Sequence, residues 1–139
     1  MKARLRKYPV LLLLLTVGLL PAQTAHAVDP RTSRHAADFK TQVLPLLTRL
    51  GCNSGACHGA AAGRGEFRLS LFAADPNADL HAITVERHSR RINLASPEQS
   101  LLLKKACGQL NHGGGQILEP TSSETQLLLD WIRNGATSS

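Results

Sequence analysis

The stretch Gly51-Cys52-Asn53-Ser54-Gly55-Ala56-Cys57-His58-Gly59 constrains this chain more than any other. Two thiols stand with four residues between them, and an imidazole directly follows the second. Three chemistries use such a set. Two thiols can add across the two vinyl groups of a haem while the adjacent imidazole reaches the iron from the same side. The usual spacing for that attachment is two residues. Here Asn53, Ser54, Gly55 and Ala56, all small or turn-forming, would have to bulge. Alternatively, Cys52 and Cys57 close a disulfide, an ordinary device in an oxidising compartment. Zinc is the third option, though adjacent Cys57 and His58 fit one tetrahedral ion poorly. The spacing alone leaves all three open, and the disulfide leaves His58 unexplained.

The N-terminus says where such chemistry would operate. Lys2, Arg4, Arg6 and Lys7 precede the apolar run Val10 to Leu20, Pro21 breaks it, and Ala25-His26-Ala27 offers a small-x-small cleavage pattern. This is the layout of an export signal. The expected boundaries are 1–27 for the signal peptide and 28–139 for the mature domain. The apolar run is shorter than the roughly 20 residues a spanning helix needs. No membrane span is therefore expected after cleavage, and the chain is expected in the periplasm.

Charge follows from that division. The whole chain carries a net charge of +6, from 16 basic and 10 acidic side chains. Four of the basic residues belong to the signal, so the mature domain is nearly balanced. A nucleic-acid partner is not expected, because phosphate binding needs a basic surface. Aromatics are also scarce, at 4%, which removes a base-stacking platform.

The periodicity of the mature domain is mainly helical. Phe39, Val43, Leu46, Leu47 and Leu50 share one helical face, predicting a first helix from about Ala36 to Leu50. Pro45 should kink it or restart its last turn, and Gly51 should stop it. Phe67, Leu69 and Leu71 alternate, which predicts a short strand or extended segment over 66–72. Asp75-Pro76-Asn77 reads as a turn, with a helical turn or two over 78–85. Ser96-Pro97-Glu98-Gln99 has the form of a capped helix start. The last helix opens at Thr121 or Ser122, runs through Leu127, Leu128, Trp131 and Ile132, and ends at Asn134-Gly135. Long glycine-rich loops in a domain this small suggest that something other than protein fills part of its interior.

Taken together, several stretches resemble the cytochrome c-like domains of planctomycete-type exported proteins. They are Phe39-Lys-Thr-Gln-Val-Leu-Pro-Leu-Leu, the Cys52 to His58 cluster, Gly65-Glu-Phe-Arg-Leu-Ser-Leu-Phe, Arg90-Arg-Ile-Asn, Pro97-Glu-Gln-Ser-Leu-Leu-Leu-Lys-Lys, His112-Gly-Gly-Gly and Leu129-Asp-Trp-Ile-Arg-Asn-Gly. The resemblance spans about residues 36–135, and the four-residue spacing recurs in that family. It implies a mainly α, small class I cytochrome c-like fold, with three or more helices around one covalently bound haem c. It also implies a role in electron transfer. A catalytic role residing in larger fused domains is not carried over.

Within that expectation Cys52 and Cys57 form the thioethers and His58 is the proximal iron ligand. The only methionine is Met1, inside the signal, so the common Met ligand is not available after cleavage. His112, in the glycine-rich loop before the last helix, is the expected second ligand. An open five-coordinate iron, or a His112 that only hydrogen-bonds within a turn, is the alternative. His35, His81 and His88 read as surface or packing residues. Arg90 and Arg91 are candidates to pair with the haem propionates, since guanidinium matches carboxylate geometry; a solvated charge pair is the plain alternative. Cys107 is left over, as a buried small side chain or a reactive thiol, and receives no ligand role.

The function expected is that of an exported monohaem carrier of single electrons between periplasmic redox proteins, not an enzyme. The rivals are a haem enzyme or sensor with an open distal site, and a haem-free interaction module stapled by a Cys52–Cys57 disulfide.

Overall fold

A computed structural model describes residues 37–138. The expected signal peptide, its cleavage site and the leader that follows lie outside the described residues. The described residues are mainly helical and contain no strand. Their four α-helices are α1 (Leu44–Arg49), α2 (Pro76–Thr84), α3 (Leu101–Ala106) and α4 (Ser123–Arg133). None is long and apolar enough to cross a membrane.

The apolar face predicted around Pro45 is real, but the helix is divided. Phe39–Val43 form one π-helical turn that leads directly into α1. Proline has no N–H to donate, and its ring crowds the carbonyl four residues back. The wide turn relieves this: the Val43 amide donates five residues back, to the Asp38 carbonyl, at 3.1 Å. Asp38 caps the turn, its carboxylate accepting from the Thr41 amide and hydroxyl, both at 2.7 Å. Phe39, Val43, Leu44, Leu46 and Leu47 are buried. Gly51, at φ +75°, ends the helix in the left-handed conformation that glycine adopts without penalty.

This first segment meets the last helix. The Phe39 and Trp131 rings lie 5.4 Å apart between centroids. The Trp131 indole N–H donates to the Thr137 carbonyl at 2.8 Å, so the buried ring leaves no polar atom unpaired. Ser122 caps α4 by accepting from the Thr125 amide. Trp131, Leu128 and Ile132 make its buried face.

Between these ends the chain departs from its expected elements in three places. No strand forms over 66–72. The segment is extended only briefly, with a lone bridge between Arg64 and Phe67. Leu69 is buried, but Leu71 and Phe72 are exposed in a single 3₁₀ turn. Alternation had no neighbouring strand to pair with, so it produced no ladder. Asp75-Pro76-Asn77 is the start of α2, with Asp75 accepting from the Ala78 amide at 3.0 Å and Pro76 in the first turn. Finally, Pro97–Gln99 form an isolated 3₁₀ turn, and α3 begins only after Ser100. Ser96 does not cap. The Asn93 side chain instead fixes the approach to the turn, accepting from the Ala95 and Ser96 amides.

Two packing predictions follow from these contacts. Trp131→Ala should cost about 3–5 kcal/mol of unfolding free energy, the usual cost of deleting a buried aromatic. Arg133→Ala removes an exposed pairing with Glu98 and should cost about 1 kcal/mol or less. Urea titration of both variants tests this, and a loss below about 1 kcal/mol for Trp131→Ala would contradict the packing.

Candidate functional site

A cavity of about 550 Å³ opens among the loops and is lined by residues from every stretch that carries unusual chemistry in the sequence. That volume lies within the range of small-molecule and cofactor pockets. Its floor is apolar: Leu47 and Leu50 from the α1 end, Leu101, Leu102 and Ala106 on or beside α3, Ile117, Leu118, and Leu128 of α4. Cys52, Cys57, His58 and His112 all line it, as do Arg90 and Arg91. The six residues singled out from the sequence thus share one cavity.

The Cys52 to His58 loop is held by its own backbone. The Cys52 amide donates to the Leu47 carbonyl at 2.9 Å, carrying the chain straight off α1. Asn53 turns inward and is fully buried, its side-chain amide donating to the Thr48 hydroxyl at 2.8 Å. The His58 amide then donates back to the Cys52 carbonyl at 2.9 Å. The four intervening residues therefore bulge, and the bulge is anchored by Asn53. Gly59 closes it against the Asn53 carbonyl, where any side chain would collide: a Cβ would sit 2.0 Å from that oxygen.

Each histidine is fixed by a backbone carbonyl. His58 Nδ1 lies 3.1 Å from the Phe67 carbonyl oxygen, and His112 Nδ1 lies 2.8 Å from the Gly115 carbonyl oxygen. A carbonyl can only accept, so Nδ1 carries the proton in both rings and Nε2 is the free, basic nitrogen. The two rings are nearly parallel, with an interplanar angle of 18° and centroids 6.1 Å apart. Burial holds His58 below the usual imidazole range, and the nearby His112 pushes the same way, against the Phe67 carbonyl. His58 is thereby kept neutral, the form that binds metals.

Cys52, Cys57 and Cys107 are all free thiols. Burial, reinforced by the neighbouring Cys57, pushes the Cys52 thiol up to about 11. Cys107 is buried beside the Thr125 hydroxyl and does not line the cavity. Among the described residues no three His, Cys, Asp or Glu side chains converge as a closed metal site would require, so the zinc arrangement is not assembled.

Arg90 and Arg91 sit differently, although they are adjacent. Arg90 is exposed at the cavity rim with Arg64 and Arg87. Arg91 is buried. Its Nη1 donates to the Ala82 carbonyl at 2.8 Å and its Nη2 to the Glu66 carbonyl at 2.6 Å. Its guanidinium carbon lies 4.4 Å from the centre of the Phe67 ring. Phe67 in turn packs on His58, with centroids 4.5 Å apart.

Sequence reasoning did not single out Phe67, Arg64, Arg87 or Lys105 as site residues, whereas Gly114 was expected, with Gly113 and Gly115, to let the backbone approach a bound group closely. Phe67 was legible only as one apolar position in an alternating run. Gly114 sits under the His112 ring, where a Cβ would come within 3.1 Å of an imidazole carbon. The run of three glycines after His112 was the available signal for it.

Comparison with protein-family models, with curated proteins and with solved structures returns no match.

The Cys52 environment predicts its reactivity. In the haem-free chain its alkylation should be slow near neutral pH and should accelerate about tenfold per pH unit up to about 11, because the thiolate is the nucleophile. Peptide mapping after timed iodoacetamide labelling reads this directly; a rate that levels off near pH 8.5, the ordinary thiol range, would contradict it.

Proposed function

We propose that this chain is an exported c-type cytochrome domain of the planctomycete-like kind, carrying single electrons between periplasmic redox proteins. The observation that carries the proposal is the pair of histidines. If both imidazoles bound one metal ion, each through a metal–nitrogen bond of about 2 Å, their ring centres would stand about 6 Å apart. The rings here are 6.1 Å apart, with both Nε2 atoms free and both Nδ1 atoms tied to carbonyls. Ligating histidines usually donate their second N–H in this way, which fixes the tautomer and raises ligand basicity.

The rest of the cavity suits the same group. Its apolar floor would bury a porphyrin face. Cys52 and Cys57 are free thiols on the His58 side of the motif, in position in the sequence for two thioethers. Arg90, exposed at the rim, is the better of the two arginine candidates for a propionate, since Arg91 is engaged with backbone carbonyls. When bound, haem supplies the one-electron couple, which belongs to the cofactor. The chain's residues would supply two imidazole nitrogens and an apolar lining that keeps water from the bound group. With His in both axial positions the potential should lie below that of a His/Met cytochrome. The presence of His112 in the cavity favours this reading over an open distal site.

The test is export of the full chain from a host that matures c-type cytochromes and handles this spacing. A pyridine haemochrome spectrum should show a c-type α-band, and intact mass should exceed that of the mature chain by one haem. Cys57→Ala should leave one thioether at most and shift the haemochrome band to longer wavelength. A colourless wild-type protein with no added mass would overturn the proposal and leave the disulfide-stapled module.

A further inference from the structure

Arg91 is an unusual residue to find inside a small domain. It is only 6% exposed, and burying an arginine costs free energy unless its donors are met. Its nearest carboxylate, on Glu86, is 3.8 Å away and largely exposed. The close contacts are instead backbone carbonyls from two separate parts of the chain: Ala82 in α2, and Glu66 in the loop beside His58. A weaker bond at 3.4 Å reaches the Glu86 carbonyl. The guanidinium carbon lies over the Phe67 ring, 4.4 Å from its centre.

Phe67, which directly follows Glu66, is the residue that holds His58. The Phe67 carbonyl accepts from His58 Nδ1 and its ring packs on the imidazole. That segment needs holding. Glu66 has φ +60°, in the left-handed region that non-glycine residues rarely adopt. Its backbone is otherwise secured by the short Arg64–Phe67 bridge, at 2.9 and 3.0 Å.

We propose that Arg91 is a positioning residue for His58, clamping the Glu66–Phe67 backbone so that the Phe67 carbonyl and ring fix the imidazole in one orientation and one tautomer. The inference deepens the reading of His58 as an axial ligand and rests on it for its significance, while the clamp itself is testable without haem. Arg91 acts through Phe67, not on the iron. A lysine could keep the charge at this position, but it has neither the fork that spans two carbonyls nor the flat face that covers a ring.

The experiment reads the ring N–H protons of His58 and His112 by NMR in the exported full chain as isolated. They are hyperfine-shifted if the chain carries oxidised haem and diamagnetic if it carries none. Hydrogen exchange of both is timed in wild type, Arg91→Lys and Phe67→Leu. His112 is bonded within its own turn and serves as the internal reference. Arg91→Lys should speed exchange of the His58 N–H at least about tenfold, an opening free energy lower by about 1.4 kcal/mol, and leave His112 unchanged. Phe67→Leu, which keeps the carbonyl but removes the ring, should give a smaller change of the same sign. Unchanged His58 exchange in Arg91→Lys, or equal acceleration at both histidines, would overturn the proposal. If Arg91→Lys does not fold, Phe67→Leu decides: unchanged His58 exchange there also overturns it. Absence of haem from the wild type is a separate result, bearing on the proposed function alone.

Discussion

Everything chemically useful in this domain depends on two hydrogen bonds from imidazole Nδ1 to backbone carbonyls. A neutral imidazole has one donor and one acceptor nitrogen, and free in solution it exchanges between tautomers. The Phe67 and Gly115 carbonyls remove that choice. Both rings then keep Nε2 as the basic atom, and both line the same cavity. The two acceptors are backbone atoms, so they depend on loop conformation and not on the identity of a partner side chain. This is why the loops around them are so closely tied. His58 closes the Cys52 turn, Leu69 donates to the His58 carbonyl, and Gly115 donates to the His112 carbonyl.

The helices serve those loops. The π turn, α1 and α4 form the main apolar contact, with Phe39 against Trp131. Cys52 follows directly from α1, and His112 lies on the loop joining α3 to α4. That loop is tied back by the Ile117 and Leu118 amides, both donating to the Ala106 carbonyl. Many apolar side chains, including Leu47, Leu50, Leu102 and Leu128, line the cavity as well as contacting the core. A domain of this size has little interior to spare. Devoting so much of it to one cavity makes sense when the ligand contributes to the core. Such a ligand stabilises the folded state by mass action, and a covalent one does so permanently.

Much of this was legible in the residues. The apolar face from Phe39 to Leu50, the Gly51 stop and the Ser122 cap are local signals and stand where expected, although the first helix starts at Phe39 and is divided into a π turn and α1. The shared cavity was legible too, since the Cys52 cluster, Arg90, Arg91 and His112 were each conspicuous by type and setting. What escaped was non-local. Alternation at Phe67, Leu69 and Leu71 cannot reveal that no strand is available to pair. Ser96 has the right sequence to cap, but its side chain makes no cap bond to the short 3₁₀ turn that follows, and α3 starts only after Ser100. Arg91 looked equivalent to Arg90. Only the fold distinguishes them, by placing carbonyls 9 and 25 residues earlier in the chain within reach of one guanidinium. Asp75-Pro76-Asn77 was ambiguous for a different reason: Asp-Pro opens turns and helices alike.

The central proposal is that His58 and His112 would together hold the iron of one bound haem. Electron paramagnetic resonance of the oxidised, haem-loaded protein tests it most directly, with near-infrared magnetic circular dichroism to identify the ligands, in wild type and in His112→Ala. The account predicts a low-spin bis-imidazole signature in wild type and high-spin iron in His112→Ala. A high-spin wild type, or a low-spin signature that survives loss of His112, would contradict it.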